Sequence, residues 1–62
     1  MDLNTATEEE LDGLWGVGPV TARQIVELRQ RKGRIDSVED LMEIDGIDGA
    51  LVETLKREVT AG

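Results

Sequence analysis

The chain has no cysteine, no histidine, no phenylalanine and no tyrosine, and it has a single proline, Pro19, and a single tryptophan, Trp15. Each absence closes a route. Without cysteine there is neither a disulfide nor a thiolate metal site. Without histidine the usual general base and the commonest metal ligand are gone. What remains for catalysis is carboxylates, lysine, serine and threonine, and no nucleophile stands with a base, so the chain does not read as an enzyme. No apolar run approaches the roughly 20 residues of a membrane span, and no signal peptide is evident. Positive charge is scarce as well: seven Lys and Arg face fourteen Asp and Glu, a net charge of −7. A nucleic-acid module ordinarily carries a basic face, so the composition opposes a phosphate partner unless the few cations cluster. The 62 residues suffice for one small domain, which buries only roughly 60% of its unfolded surface.

Against this background one stretch stands out, Leu14-Trp15-Gly16-Val17-Gly18-Pro19-Val20-Thr21-Ala22-Arg23. Glycine reaches positive φ at little steric cost, so Gly16 and Gly18 are expected to permit a tight reversal, and their missing Cβ atoms let the backbone lie close to a partner. Pro19 suits the first position of a helix, and Ala22, Ile25, Val26 and Leu28 continue at helical spacing. The helix, predicted over Pro19 to Arg31, offers free N–H groups and a partial positive charge at its start, which suit a phosphate oxygen.

Taken in order, residues 1–6 read as an extended arm anchored by Leu3, with Asn4 and Thr5 bonding to nearby backbone. Thr7-Glu8-Glu9-Glu10 is a capping box for a short helix ending near Gly13, with Leu11 and Leu14 inward; a capped, solvated helix start is a commoner use of such acids than a metal or partner site. Glu27 and Arg31 are spaced as a helix ion pair. Arg29, Arg31, Lys32 and Arg34 gather near Gly33, either as a phosphate contact or, more commonly, as a solvated helix end matched to the dipole. Ser37-Val38-Glu39-Asp40 repeats the capping pattern before a short helix whose apolar side is Leu41, Met42 and Ile44. A last helix is expected from Ala50 to about Val59, burying Leu51, Val52, Leu55 and Val59 and closed by Lys56 and Arg57.

The two halves repeat at an offset of thirty. Thr7 falls on Ser37, Leu11 on Leu41, Leu14 on Ile44, Gly16 on Gly46, Val17 on Ile47, Ala22 on Val52 and Ile25 on Leu55. Neither half hides its own apolar stripe, so the two are expected to pack about a pseudo-twofold axis with both hairpins, about 14–19 and about 44–49, on one side. The copies differ at the hairpins: Gly18 becomes Asp48, Pro19 becomes Gly49, Arg23 becomes Glu53 and Trp15 becomes Asp45. Asp48 is a good N-cap and fills the place a phosphate would take, so the second hairpin reads as structural.

These residues carry a family resemblance. Leu14 to Ile25 resembles the helix-hairpin-helix motif, apolar-x-Gly-apolar-Gly-x-x-x-Ala-x-x-Ile, and the duplication resembles the tandem helix-hairpin-helix domain, here residues 1–62 as a single all-α domain of four to five short helices. Leu3-Asn4-Thr5-Ala6-Thr7-Glu8-Glu9-Glu10-Leu11 and Ser37-Val38-Glu39-Asp40-Leu41 are similar to the competence DNA-receptor (ComEA-type) branch. The resemblance implies binding of double-stranded DNA without sequence preference, through hairpin amides to phosphates; one open hairpin with few cations makes that binding weak. Carried to this chain, the implied site is Gly16, Val17, Gly18, Val20 and Thr21, assisted by the Thr21 hydroxyl and Arg23, with Gly46 from the second hairpin. Some family hairpins hold a monovalent cation on loop carbonyls, here near Asp12, Leu14 and Val17; no metal or cofactor is otherwise expected. The branch implies a parent acting outside the cytoplasmic membrane or anchored to it. The alternative is an acidic protein-interaction or scaffold module on the same fold. Trp15 either packs against the other half or stands exposed as a contact.

Overall fold

A computed structural model describes residues 1–61 as α1 (Glu8–Asp12), α2 (Pro19–Lys32), a 3₁₀ helix (Val38–Glu43) and α3 (Gly49–Leu55). No strand forms among the described residues, where the only sheet-like pairing is an isolated parallel bridge between Asp2 and Thr60. The chain is all-α, as its period predicts.

Local chemistry sets the helix starts. Glu10 N–H donates to Thr7 Oγ1 at 3.1 Å and Thr7 N–H donates to Glu10 Oε1 at 2.8 Å, closing the box before α1. At the second box, Ser37 Oγ accepts from Glu39 N–H at 3.3 Å, while the shorter Asp40 carboxylate accepts from the Ser37 and Asp36 amides at 3.4 and 3.2 Å. The element that follows is 3₁₀. In such a helix residues three apart eclipse one another, which lines up Val38, Leu41 and Ile44, all buried. Met42 falls off that line and is exposed, contrary to its expected inward place. The last helix ends at Leu55, short of Val59, because the chain tightens: Glu58 and Val59 N–H both donate to the Leu55 carbonyl at 2.9 Å. That turn buries Val59 and delivers Thr60 to the start of the chain.

Packing follows the repeat. The pattern of buried and exposed residues over 11–25 recurs position for position over 41–55. Leu11 and Leu41 are both fully buried, as are Ile25 and Leu55. α1 packs on α2, the 3₁₀ helix packs on α3, and the two pairs share one core. Each fully buried aliphatic side chain stabilises by about 1.5–3 kcal/mol relative to exposure. Gly16 and Gly46 occupy the left-handed region at φ 78° and 94°. A Cβ on Gly16 would come within 2.8 Å of Leu51 Cδ1. That contact seats the first hairpin against the opening turn of α3, into which the second hairpin leads, so the two loops are neighbours.

Polar ties join what the local rules do not. The leading residues are no loose arm. Leu3 is fully buried. The Asn4 amide grips the backbone 31 residues away, its Nδ2 donating to the Ile35 carbonyl at 2.9 Å and its Oδ1 accepting from Ile35 N–H at 2.6 Å. The local turn expected of Asn4 is made by Asp2 instead, whose Oδ1 accepts from Asn4 N–H at 2.8 Å. Leu3 N–H donates to the Thr60 carbonyl, and Thr60 N–H to that of Met1. Lys56 Nζ lies 2.7 Å from Glu39 Oε2, linking α3 to the 3₁₀ helix. The Lys56 hydrogen bond, with help from Ser37, pulls the Glu39 carboxyl from 4.5 down to about 2. The same bond, with a second to Glu53, raises Lys56 above its ordinary value.

Two outcomes follow. Asn4→Ala leaves the Ile35 N–H and C=O without their partners, and urea unfolding should report a loss of about 1–3 kcal/mol; an unchanged midpoint would show that the grip contributes nothing. Because Glu39 is held more acidic folded than unfolded, its pairing is fully felt above pH 4.5 and is lost as pH falls towards about 2. Lys56, shifted upward, keeps its contribution until strong alkali. Glu39→Gln should therefore show a smaller stability drop across that acid window than the unaltered chain, and equal drops would refute the link.

Candidate nucleic-acid interface

The two hairpins have nearly the same backbone and opposite ends. Gly18 precedes α2 at φ −99°, ψ −178°, and Asp48 precedes α3 at φ −108°, ψ 178°. Both conformations are ordinary extended backbone. Gly18 therefore does not supply the positive φ expected of it; Gly16 alone makes that turn. Nor does packing require a glycine, since a Cβ at position 18 would meet nothing within 4 Å.

The difference lies in the cap. Asp48 Oδ1 accepts from Leu51 N–H at 2.9 Å. Thr21 is the counterpart of Leu51, and Gly18 has no side chain to reach its amide. The opening amides of a helix have no intrahelical acceptor, so α2, fourteen residues long, begins with its N–H groups and the positive end of its dipole uncapped. In α3 a carboxylate already occupies that place.

The implied site residues separate on inspection. Gly16, Gly18, Val20 and Arg23 are exposed and Thr21 is half-buried, all on one loop and the helix turn after it. Val17 does not belong with them. Its side chain is 5% exposed and its N–H donates to the Leu14 carbonyl at 3.1 Å, so it anchors the hairpin from beneath. Gly46 is exposed on the neighbouring loop, beside the capped helix. Trp15 stands out in solvent, 69% exposed, and Val20 is 71% exposed, so the uncapped loop is flanked by apolar side chains that nothing covers. Among the described residues no group of three potential ligands forms a metal site.

The cations sort themselves equally clearly. Arg29 Nη1 donates to the carbonyls of Leu3 and Ala6 at 2.9 and 2.5 Å, pinning the leading residues to α2. Lys32 bonds Glu43 at 2.7 Å, which raises its pKa, and Asp40 lies near. Arg31 also approaches Glu43, in place of the expected helix pair with Glu27, and Arg34 pairs with Asp36. Lys56 is held by Glu39 and Glu53. Of the basic cluster near Gly33, Arg31, Lys32 and Arg34 are thus neutralised by acidic neighbours, while Arg29 is engaged by backbone carbonyls. Among the described residues, Arg23, Arg29 and Arg57 have no ion-pair partner, and Arg29 is spent on the Leu3 and Ala6 carbonyls, which leaves Arg23 and Arg57 as the uncommitted cations. Arg23 was legible as a site residue beside the hairpin. Arg57 was not, although its counterpart at the thirty-residue offset is Glu27, a reversal of charge that flags it.

Comparison with known proteins agrees with the repeat. The helix-hairpin-helix motif model matches residues 1–60. ComE operon protein 1 of Bacillus subtilis is 40% identical over 60 residues, 97% of this chain and 29% of that protein. The human endonuclease/exonuclease/phosphatase family domain-containing protein 1 is 44% identical over 59 residues, 95% of this chain but 10% of the relative. A protein of Haemophilus influenzae is 37% identical over 54 residues, covering 86% of this chain and 48% of that one. The chain therefore spans less than a third of the length of the first two. No solved structure matches.

If Gly18 is free of internal constraint, Gly18→Asp should cap α2 as Asp48 caps α3 and raise stability by a few tenths of a kcal/mol. Asp48→Gly should lower it by a similar amount. Thermal unfolding of the two variants measures both; a destabilised Gly18→Asp would mean that the loop does need its glycine.

Proposed function

This chain belongs to the helix-hairpin-helix family, and from that premise we propose that it binds double-stranded DNA weakly and without sequence preference, through the first hairpin. Family membership and the likeness to ComE operon protein 1 support DNA binding in general. The observation that carries the finer reading is the unequal capping of two otherwise equal loops. Position 18 has no side chain although neither its backbone angles nor its surroundings demand that. An open position there admits a phosphate oxygen to the amides of Val20 and Thr21, where the dipole favours negative charge. Gly18, whose Cβ would face open space, lets the strand come close, and Arg23 adds one cation. Such contacts go to the backbone, so they position the protein without reading bases. The second hairpin, with Asp48 on its amide and Asp45 and Glu53 nearby in sequence, contributes little beyond Gly46. The chain acts as a non-catalytic module, and residues 1–62 as one domain; the nuclease-family relatives share only this stretch with it.

A second reading has its own support. The surface is strongly acidic, and two large apolar side chains, Trp15 and Val20, flank the hairpin uncovered. A basic protein partner docking there would use the same loop.

Titration of labelled duplex at low salt decides between them. With few cations the logarithm of affinity should fall only shallowly with salt, by about 0.9 per phosphate neutralised. Gly18→Asp should weaken binding at least severalfold while stabilising the fold, and Asp48→Gly should strengthen it while destabilising the fold. Opposite signs for affinity and stability exclude misfolding as the cause. No binding at high micromolar protein would reject the DNA reading and leave the protein-docking one.

A further inference from the structure

The pseudo-twofold axis produces one groove twice. The first copy, about 240 Å³, is lined by Gln24, Glu27, Leu28, Arg31, Glu43 and Asp45, with Ile44 at its base. The second, about 400 Å³, is lined by Trp15, Thr54, Arg57 and Glu58. Offsetting by thirty turns Asp45 into Trp15, Gln24 into Thr54 and Glu27 into Arg57. At the two positions where the first groove has Asp45 and Glu27, the second has an exposed aromatic ring and a cation without an ion-pair partner; the first groove keeps a third carboxylate, Glu43, beside Arg31. This second groove borders the uncapped hairpin, since Trp15 directly precedes Gly16. The acidic groove borders the capped one.

The geometry points to a base-stacking subsite: Trp15 stacks on an unpaired DNA base whose neighbouring phosphate lies on the first hairpin, with Arg57 holding the next phosphate along the strand. This rests on the DNA reading above but adds a preference it does not contain. Two of the four exchanges, Asp45 to Trp15 and Glu27 to Arg57, run in the same chemical direction, from anionic to aromatic and cationic. The exchange of Leu28 for Glu58 opposes it in part, bringing an exposed carboxylate into the second groove. Thr54 is neutral to it, since its hydroxyl donates to the Ala50 carbonyl at 3.2 Å. In an intact duplex the bases are already stacked, and the ring reaches one only by unstacking a step. A single-stranded overhang or a frayed end offers a free face at no such cost, and aromatic stacking accepts any base. The ligand class is therefore a duplex end or junction carrying unpaired bases, in preference to continuous duplex.

The test compares a short blunt duplex with the same duplex bearing a single-stranded overhang, by anisotropy of a label on the DNA and by the emission of Trp15, the chain's only aromatic residue. The overhang duplex should bind about tenfold tighter and quench Trp15. Trp15→Ala should abolish that preference, Trp15→Phe should keep part of it, and Arg57→Gln should reduce it. Trp15 is exposed, and helical circular dichroism verifies that the variants fold. Equal affinity for both DNAs, with Gly18→Asp still weakening each, would overturn the stacking subsite alone. Absence of binding to either DNA would overturn the duplex reading and the subsite with it.

Discussion

Everything in this molecule depends on two short apolar stripes that can be buried only by each other. α1 is five residues long and α3 seven, well below the roughly 12–15 residues at which an isolated helix becomes even marginal in water. Neither helix-hairpin-helix half supplies a core by itself. Brought together, Leu11 meets the same degree of enclosure as Leu41, and Ile25 as Leu55. The duplication thus solves a size problem, since a chain this small has little interior to share.

That mutual burial holds the hairpins side by side and frees them to diverge. The core positions of the two halves remain apolar, whereas the loop tips carry Gly18 against Asp48 and Trp15 against Asp45. Because the backbone angles at 18 and 48 nearly coincide, the side chain there decides only what happens to the amides of the following helix. One loop closes on itself and strengthens its helix. The other forgoes a side-chain cap worth a few tenths of a kcal/mol and keeps its donors available.

Electrostatics complete the division. An acidic chain would repel a polyanion, but the carboxylates are not idle. Glu43, Asp36, Glu39 and Glu53 hold Arg31, Lys32, Arg34 and Lys56 in pairs that link α2 and α3 to the 3₁₀ helix or steady the segment between. Exposed pairs of this kind stabilise weakly; their larger effect is on which cations are spoken for. Arg29 is spent on backbone carbonyls, and Arg23, on α2, and Arg57, in the turn after α3 and beside Trp15, remain uncommitted.

Much of this was written locally and so was legible in the chain itself. Capping boxes act over three residues, helix periods over four, and the thirty-residue repeat compares like with like, so α2, both boxes, the paired core and the Asp48 cap follow from neighbouring residues alone. The 3₁₀ geometry of Val38–Glu43 was half visible, in apolar residues spaced by three, and that spacing is what turns Met42 outward. Contacts between distant residues were not legible. Asn4 could have bonded anywhere nearby, and Ile35 becomes its partner only once Leu3 sinks into the core. Arg29 looked like a helix-end charge until the leading carbonyls came within its reach. Trp15 could have filled the core or faced water, and only the folded chain shows it 69% exposed. Sequence determines what depends on hydrogen bonds closing a few residues away; which charges are free and which large side chains are left uncovered depends on surfaces that exist only after the two halves have met.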